Sequence, residues 1–181
     1  MALKCFVLDN HPDQAVRHEA VQNAVRAYLK SDAVSVEYSE KGAPSIVGSS
    51  TPKYLSVTTT GDKMVAALYD KPVGIDGEFL PKYETSRTDF AILADRFFAP
   101  EESEYVHDGP TVADEKDRFL KIWTRKEAYV KCAGKTLAEF PNFSVVEGDK
   151  MLARVGGIPL RKFAIAFEGS EHYLFAIAGI S

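Results

Sequence analysis

DEKDRFLKIWTRKEAYVKCAGK, residues 114–135, decides how the chain around it is read. The stretch from Asp114 to Ala133 reads as one long helix, with Gly134 placed as its C-terminal stop. Its first turns, Asp114-Glu115-Lys116-Asp117-Arg118, are most simply a solvated face. Further along, Glu127 and Lys131 stand four apart and share a face, with Trp123 one turn before them. Lys126, beside the glutamate, points roughly a third of a turn away. On spacing alone Glu127 and Lys131 make an ordinary exposed ion pair, a common device on helices. Only the rest of the chain can give the pair a chemical purpose.

Working outward from that helix, short strands and turns dominate. Leu3 to Leu8 reads as a buried strand, Asp13 to Lys30 as a helix and Val34 to Tyr38 as a strand. Lys41 to Pro52, rich in Gly, Ser and Pro, reads as a loop and the best internal boundary. It divides an abbreviated strand–helix–strand half over residues 1–52 from a second half over 53–181. Tyr54–Thr60, Met64–Tyr69 and Val73–Asp76 predict a meander of three strands. Arg87–Phe98 predicts a helix stopped by Ala99-Pro100, followed by a short helix over Glu101–Val106. Strand-like runs follow at Phe143–Val146, Met151–Val155, Phe163–Phe167 and Tyr173–Ala178. Hairpins mixed with two or three helices argue α+β and not a doubly wound parallel sheet.

The bulk properties exclude several classes. With 181 residues, 45% hydrophobic and 27% charged, the chain is of ordinary globular composition and can bury a sizeable core. A net charge of -4 makes no electrostatic case for nucleic acid or an anionic membrane. Cys5 and Cys132 are the two cysteines, so no disulfide framework is expected and a reducing, cytoplasmic setting is simplest. MALKCFVLDNHPD has too short an apolar run for a signal peptide, and no segment approaches a membrane span. His11, His18, His107 and His172 have no zinc-like spacing, and Cys132 has no histidine placed to activate it.

The second stretch that carries chemistry is VGIDGE, Val73 to Glu78. A strand ends there in two acids, Asp76 and Glu78, at period two, so both carboxylates project to one side. Gly77 between them leaves the backbone open to close approach. Paired carboxylates repel unless water or a cation separates them, and magnesium is typically held by one or two carboxylates with substrate phosphates. Taken alone, a solvated strand end is the simpler reading.

Together, Gly74-Ile75-Asp76-Gly77-Glu78 and Trp123-Thr124-Arg125-Lys126-Glu127-Ala128-Tyr129-Val130-Lys131 resemble the paired signature of the 4′-phosphopantetheinyl transferase superfamily. The family pattern is roughly GxD-x-E followed by W-[ST]-x-KE-xxx-K. Arg96-Phe97-Phe98 through Glu102 resembles its RFF-x-x-x-E segment, and Gly134-Lys135-Thr136-Leu137 its G-K-G-L with one change. Ala15, Arg17 and Val25-Arg26 resemble the first-helix pattern of the surfactin-type class.

The resemblance implies an antiparallel sheet packed on the long helix, with an abbreviated first half. It implies transfer of the phosphopantetheine arm of coenzyme A to a serine of an acyl or peptidyl carrier protein, releasing adenosine 3′,5′-bisphosphate. Such modification serves fatty acid, polyketide or nonribosomal peptide biosynthesis. Asp76, Glu78 and Glu127 would be the magnesium ligands. Asp76, Glu127 and Lys131 would be catalytic, and Arg17, Thr58, Thr59, Lys126 and Lys131 would meet coenzyme A. A monomer with its site between its own halves is the preferred arrangement, with no nucleic acid and no membrane involved. The alternatives are a relative that binds coenzyme A or a carrier without turnover, and a metal-dependent hydrolase sharing the carboxylates. The chain departs from the pattern twice. Thr59 stands where the family has a histidine for the 3′-phosphate of coenzyme A, and Ala43 replaces the lysine of G-K-P. Lys41, Lys53 or Arg17 would have to compensate.

Overall fold

The protein is described by a computed structural model covering residues 2–180. Strand β1 (Lys4–Asp9) leads into helix α1 (Gln14–Leu29), within one residue of expectation at each end. The Asp13 carboxylate caps the helix by accepting from the Ala15 N–H at 2.7 Å, and Lys30 closes it in the left-handed region at φ 51°. Val21 and Val25, four apart, are fully buried against Leu55, Met64, Ala66 and Leu68 of the sheet below.

The predicted loop at Lys41–Pro52 needs correction. Strand β2 (Ser35–Tyr38) pairs with β3 (Pro44–Val47), which lies inside that loop. Pro44 hid it, yet a proline is tolerated as the first residue of an edge strand, where no donor is required. Ile46, opposite Val36, turns toward the α1 core and holds the hairpin in place.

Strands β4 (Tyr54–Thr60) and β5 (Lys63–Tyr69) form the expected hairpin across Gly61 at φ 57°. β1 adds to the far side of β5, giving an antiparallel sheet ordered β1-β5-β4. Residues on both sides of the 52/53 division therefore share one sheet.

The meander does not continue. Strand β6 (Gly74–Phe79) leaves this sheet and pairs antiparallel with β11 (Tyr173–Ala178), Asp76 opposite Ala176 and Glu78 opposite Leu174. Packing against the long helix decides the matter. A Cβ on Gly74 would lie 2.0 Å from the Ala128 carbonyl oxygen and 2.5 Å from the Cys132 nitrogen, so only glycine lets β6 approach so closely. β6 still meets β4, through side chains. The Ser56 hydroxyl accepts from the Ile75 N–H at 3.0 Å, and the Thr58 hydroxyl accepts from the Gly77 N–H at 3.2 Å. Hydroxyl groups thus replace a backbone ladder between the two sheets, above a shared core of Val65, Ala67, Ile75, Phe175 and Ile177.

Helix α2 (Phe90–Phe97) starts at Asp89, whose carboxylate accepts from the Ile92 N–H at 3.0 Å. Helix α3 (Pro100–His107) takes Pro100 into its first turn, where the missing N–H costs nothing. Helix α4 (Val112–Ala133) is capped by the Thr111 hydroxyl and ends at Gly134, φ 65°. Beyond it the expected strands shift. Short pairs β7 (Val146–Glu147) and β8 (Lys150–Met151), then β9 (Arg154–Val155), lead to β10 (Ile158–Phe163). β10 therefore ends where the predicted strand Phe163–Phe167 begins. Pro159 masked it in sequence, but it faces the short β9, where one missing donor is tolerated. The second sheet runs β6-β11-β10-β9, antiparallel throughout. No helix among the described residues is long and apolar enough to cross a membrane.

The hydroxyl clamp has a measurable worth. Thr58→Val leaves the Gly77 N–H without its acceptor at a site where Thr58 is only 5% exposed. The expected destabilisation is about 1–3 kcal/mol. Denaturant unfolding reads it as a lower midpoint at unchanged slope, and an unchanged midpoint would show that the clamp contributes nothing.

Candidate functional site

Two elements bring the charged residues together. β6 presents Asp76 and Glu78 at period two, and α4 presents Glu127 and Lys131 one turn apart. The simple ion pair expected of Glu127 and Lys131 is not what forms. The Lys131 ammonium reaches across to Asp76 Oδ1 at 2.7 Å and donates to the Ile75 carbonyl at 3.3 Å. Thr58 completes the contact, donating its hydroxyl to the same Asp76 oxygen at 3.1 Å while accepting from Gly77. Asp76 is thereby held at 6% exposure with two donors on one oxygen.

The other acids are less compensated. Glu78 accepts a 2.6 Å hydrogen bond from the Tyr83 hydroxyl. Burial nevertheless pushes its carboxyl up, Tyr83 draws it back, and the neighbouring Asp76 charge adds to the rise. Glu127 is pushed further, to about 7, chiefly by burial; Lys131 opposes the shift, and Asp76 and Glu78 add to it. Glu78 and Glu127 thus both feel neighbouring carboxylate charge, opposed by the Lys131 ammonium and, at Glu78, by Lys82 as well.

A carboxyl whose proton is held more tightly in the folded state favours folding at low pH. Glu127 gives its full contribution below its ordinary value of 4.5 and loses it as pH rises to about 7. Above neutrality the site therefore carries uncompensated negative charge, the electrostatic setting into which a cation binds favourably. All three acids offer hard oxygen donors, the set that suits magnesium. Among the described residues, no group of three or more acidic, histidine or cysteine side chains is closed into a ready metal cage.

Gly77 has a different reason from the one expected. A Cβ there would sit 2.3 Å from the ring of Phe175, its cross-strand partner, so the close approach comes from this ring.

Lys126 also needs correction. Expected to face the phosphates, it is fully buried on the other side of α4, with its ammonium 2.6 Å from Glu102 Oε2. It donates to the Phe143 carbonyl at 2.5 Å and sits 4.0 Å from that ring's centroid. Glu102 also accepts from the Ala99 N–H at 3.1 Å and the Val145 N–H at 2.7 Å. Burial works against charge on both partners, raising Glu102 and lowering Lys126, and each draws the other back. The short contact and the carboxylate's three donors favour the charged pair. Trp123 closes the same region within a ring cluster of Phe97, Phe98, Phe119 and Phe140.

A cleft of about 540 Å³ opens between the β2–β4 side and the C-terminal half of α4. Glu127 and Lys131 line one wall, and Lys41, Pro44, Ser56 and Val57 the other. Thr58, counted among the ligand contacts, is spent inside the protein on Asp76 and Gly77. Arg17 bonds the His11 and Pro12 carbonyls at 2.5 and 2.9 Å, and neither it nor Thr59 lines the cleft.

Sequence reasoning missed Glu102, Tyr83 and Ser56 as site supports. Glu102 was within reach, because Pro100 followed by a glutamate two residues on marks a helix start. Ser56 shared period two with Thr58 and Thr60, polar positions that could face the interior. Tyr83 sits on an isolated turn, Leu80–Tyr83, with no periodic signal.

The family model described as the 4′-phosphopantetheinyl transferase superfamily matches residues 72–176, which holds β6, α4 and all four charged residues. The chain is 35% identical over 85 residues to the 4′-phosphopantetheinyl transferase psf-1 of Bacillus pumilus, covering 47% of this chain and 34% of that protein. It is 34% identical over 82 residues to the 4′-phosphopantetheinyl transferase HetI of Nostoc sp. (45% and 32%). It is 33% identical over 125 residues to a 4′-phosphopantetheinyl transferase of Bacillus subtilis (67% and 52%). The chain thus spans between about a third and a half of the length of these relatives.

Proposed function

The chain belongs to the 4′-phosphopantetheinyl transferase superfamily, and from that premise we propose that it transfers the 4′-phosphopantetheine arm of coenzyme A to a serine of an acyl or peptidyl carrier protein, releasing adenosine 3′,5′-bisphosphate. The observation that carries the reading is the 2.7 Å contact of Lys131 with Asp76 beside Glu127, whose carboxyl feels the charges of Asp76 and Glu78, with Glu127 and Lys131 both lining one cleft.

The roles follow from the chemistry of the groups. Asp76, Glu78 and Glu127 would hold magnesium, which supplies charge neutralisation at the pyrophosphate. Glu127, titrating near neutrality, suits a general base that accepts the proton of the incoming serine hydroxyl. Lys131 holds Asp76 and lines the cleft, where it would neutralise the leaving phosphate. The Thr58 hydroxyl orients the Asp76 oxygen, and Tyr83 orients that of Glu78. Lys126 has no part in substrate contact here; its ion pair fixes α4, and with it Glu127. A soluble cytoplasmic monomer, working between its own two halves, is the assembly that fits this reading.

The test is the intact mass of apo carrier proteins incubated with the chain, coenzyme A and magnesium. A gain of one phosphopantetheine is the expected result. Binding of coenzyme A without any mass gain across the panel would instead favour a non-catalytic relative.

Chelation should abolish transfer and magnesium restore it. Because Glu127 holds its proton until about pH 7, metal binding near neutrality should release a proton, and affinity should weaken as pH falls from about 8 to 6. Calorimetry in buffers of different ionisation enthalpy reads the proton directly. Full activity in excess chelator would remove the metal from the mechanism.

A further inference from the structure

A second charged recess lies on another side of α4. A cavity of about 190 Å³ opens between α4 and strands β10 and β11, and it shares no lining residue with the cleft of Glu127 and Lys131. Lys121 and Arg125, one turn apart on α4, line it together with Lys162 of β10, and no acidic residue does. We infer that this recess is a binding site for a small phosphate-type dianion, held by the Arg125 guanidinium with Lys162 and Lys121 as flanking charges. Such a site is independent of the acid-lined cleft and of the reaction proposed there.

Register brings the three cations together. Lys162 follows Leu160 by two residues, so the pleat turns both toward α4. Leu160 is buried in the core beneath that helix, whereas Lys162 sets a charge at the next position on the same face. Opposite it on β11 stands Ala176, whose methyl leaves the space open. Lys162 makes no ion pair or hydrogen bond with any described residue. Arg125 is half-buried, and its Nη1 donates to the Leu152 and Leu160 carbonyls, each at 3.3 Å, which fixes the guanidinium plane. Its Nε and Nη2 find no acceptor among the described residues. These two nitrogens form the edge that bonds two oxygens of an oxyanion at once. Burial draws the guanidinium down from its ordinary value, and no neighbouring acid draws it back. Lys121 is shared with Asp117 at 2.5 Å in an exposed pair, so it is the weakest of the three contributors. Size and charge then select the ligand. The recess is smaller than the roughly 300–1,000 Å³ of sites for drug-sized molecules, so it suits a free ion or a single phosphoryl group. Three cations with no lining acid attract two negative charges more strongly than the one of a carboxylate.

The experiment is calorimetric titration of the full chain with inorganic phosphate, in mildly alkaline buffer of constant ionic strength, without coenzyme A or metal. One saturable site is expected. Lys162→Met removes a charge and Arg125→Lys keeps the charge but loses the planar fork; each should weaken binding by roughly tenfold or more. Lys162 is exposed, so its variant should retain a native circular dichroism spectrum even if Arg125 proves necessary for folding. Glycerol 3-phosphate, titrated in parallel, separates the two sources of the dianion. Binding that Lys162→Met weakens equally shows that a phosphoryl group on an organic ester is accepted, and binding of inorganic phosphate alone identifies the free ion. Unchanged phosphate affinity in Lys162→Met overturns the assignment. So does loss of the site in Lys131→Ala with retention in Lys162→Met, which would put the anion in the other cleft. Acetate binding as tightly as phosphate overturns the dianion, and no saturable binding overturns the site.

Discussion

Lys126→Ala should lower the unfolding free energy by about 3–5 kcal/mol, the usual consequence of removing one partner from a fully buried ion pair. Glu102 would remain without its cation in a site with no exposed surface, beside the space that the ammonium had filled among the rings of Phe98, Phe140 and Phe143. Its two backbone donors, at Ala99 and Val145, cannot neutralise it. The double variant Lys126→Met with Glu102→Gln should recover part of the loss, because an amide still accepts a backbone N–H and no net charge stays buried. Denaturant unfolding of the three proteins measures the cycle. The same variants separate two roles for Lys126. If its ammonium met the phosphates, Lys126→Ala would weaken coenzyme A binding while leaving the unfolding midpoint almost unchanged, and the burial argument would be wrong.

Glu127→Gln should reduce transfer by roughly 10²–10⁴-fold, the range of general-base contributions, with further loss if metal charge is also forfeited. The amide keeps the shape and relieves the repulsion from Asp76 and Glu78, so the folded protein should be no less stable at pH 8. That combination, a stable protein without turnover, is what distinguishes a site residue from a packing residue. Lys131→Ala should lower single-turnover transfer more than coenzyme A affinity, because its charge is needed most as the leaving phosphate departs. Wild-type turnover in both variants would dissolve the assigned roles.

What could be read directly from the residues were features carried by local chemistry. Gly134 marked the end of α4 because a helix stop is a short-range dihedral preference, visible in a few neighbouring letters, whereas the start reads at Asp114, two residues inside the helix that Thr111 caps. Asp76 and Glu78 at period two, and Glu127 and Lys131 at period four, announced a shared face for the same reason. The resemblance then joined two segments that spacing could not connect.

Partner choice was not legible. Val73–Asp76 follows a hairpin and has strand composition, so local rules extend the meander; β6 instead pairs with β11, almost a hundred residues away, because Gly74 admits the backbone of α4. Lys126 and Glu127 are adjacent in sequence and chemically equal candidates. A helix turns successive side chains by about 100°, so one enters the core beside Glu102 and the other faces the cleft. Periodicity by itself determined that they would part. Only the tertiary structure decided which of them met the cleft, because that depends on which surfaces the sheet, α3 and the Phe140–Phe143 segment bury against the helix.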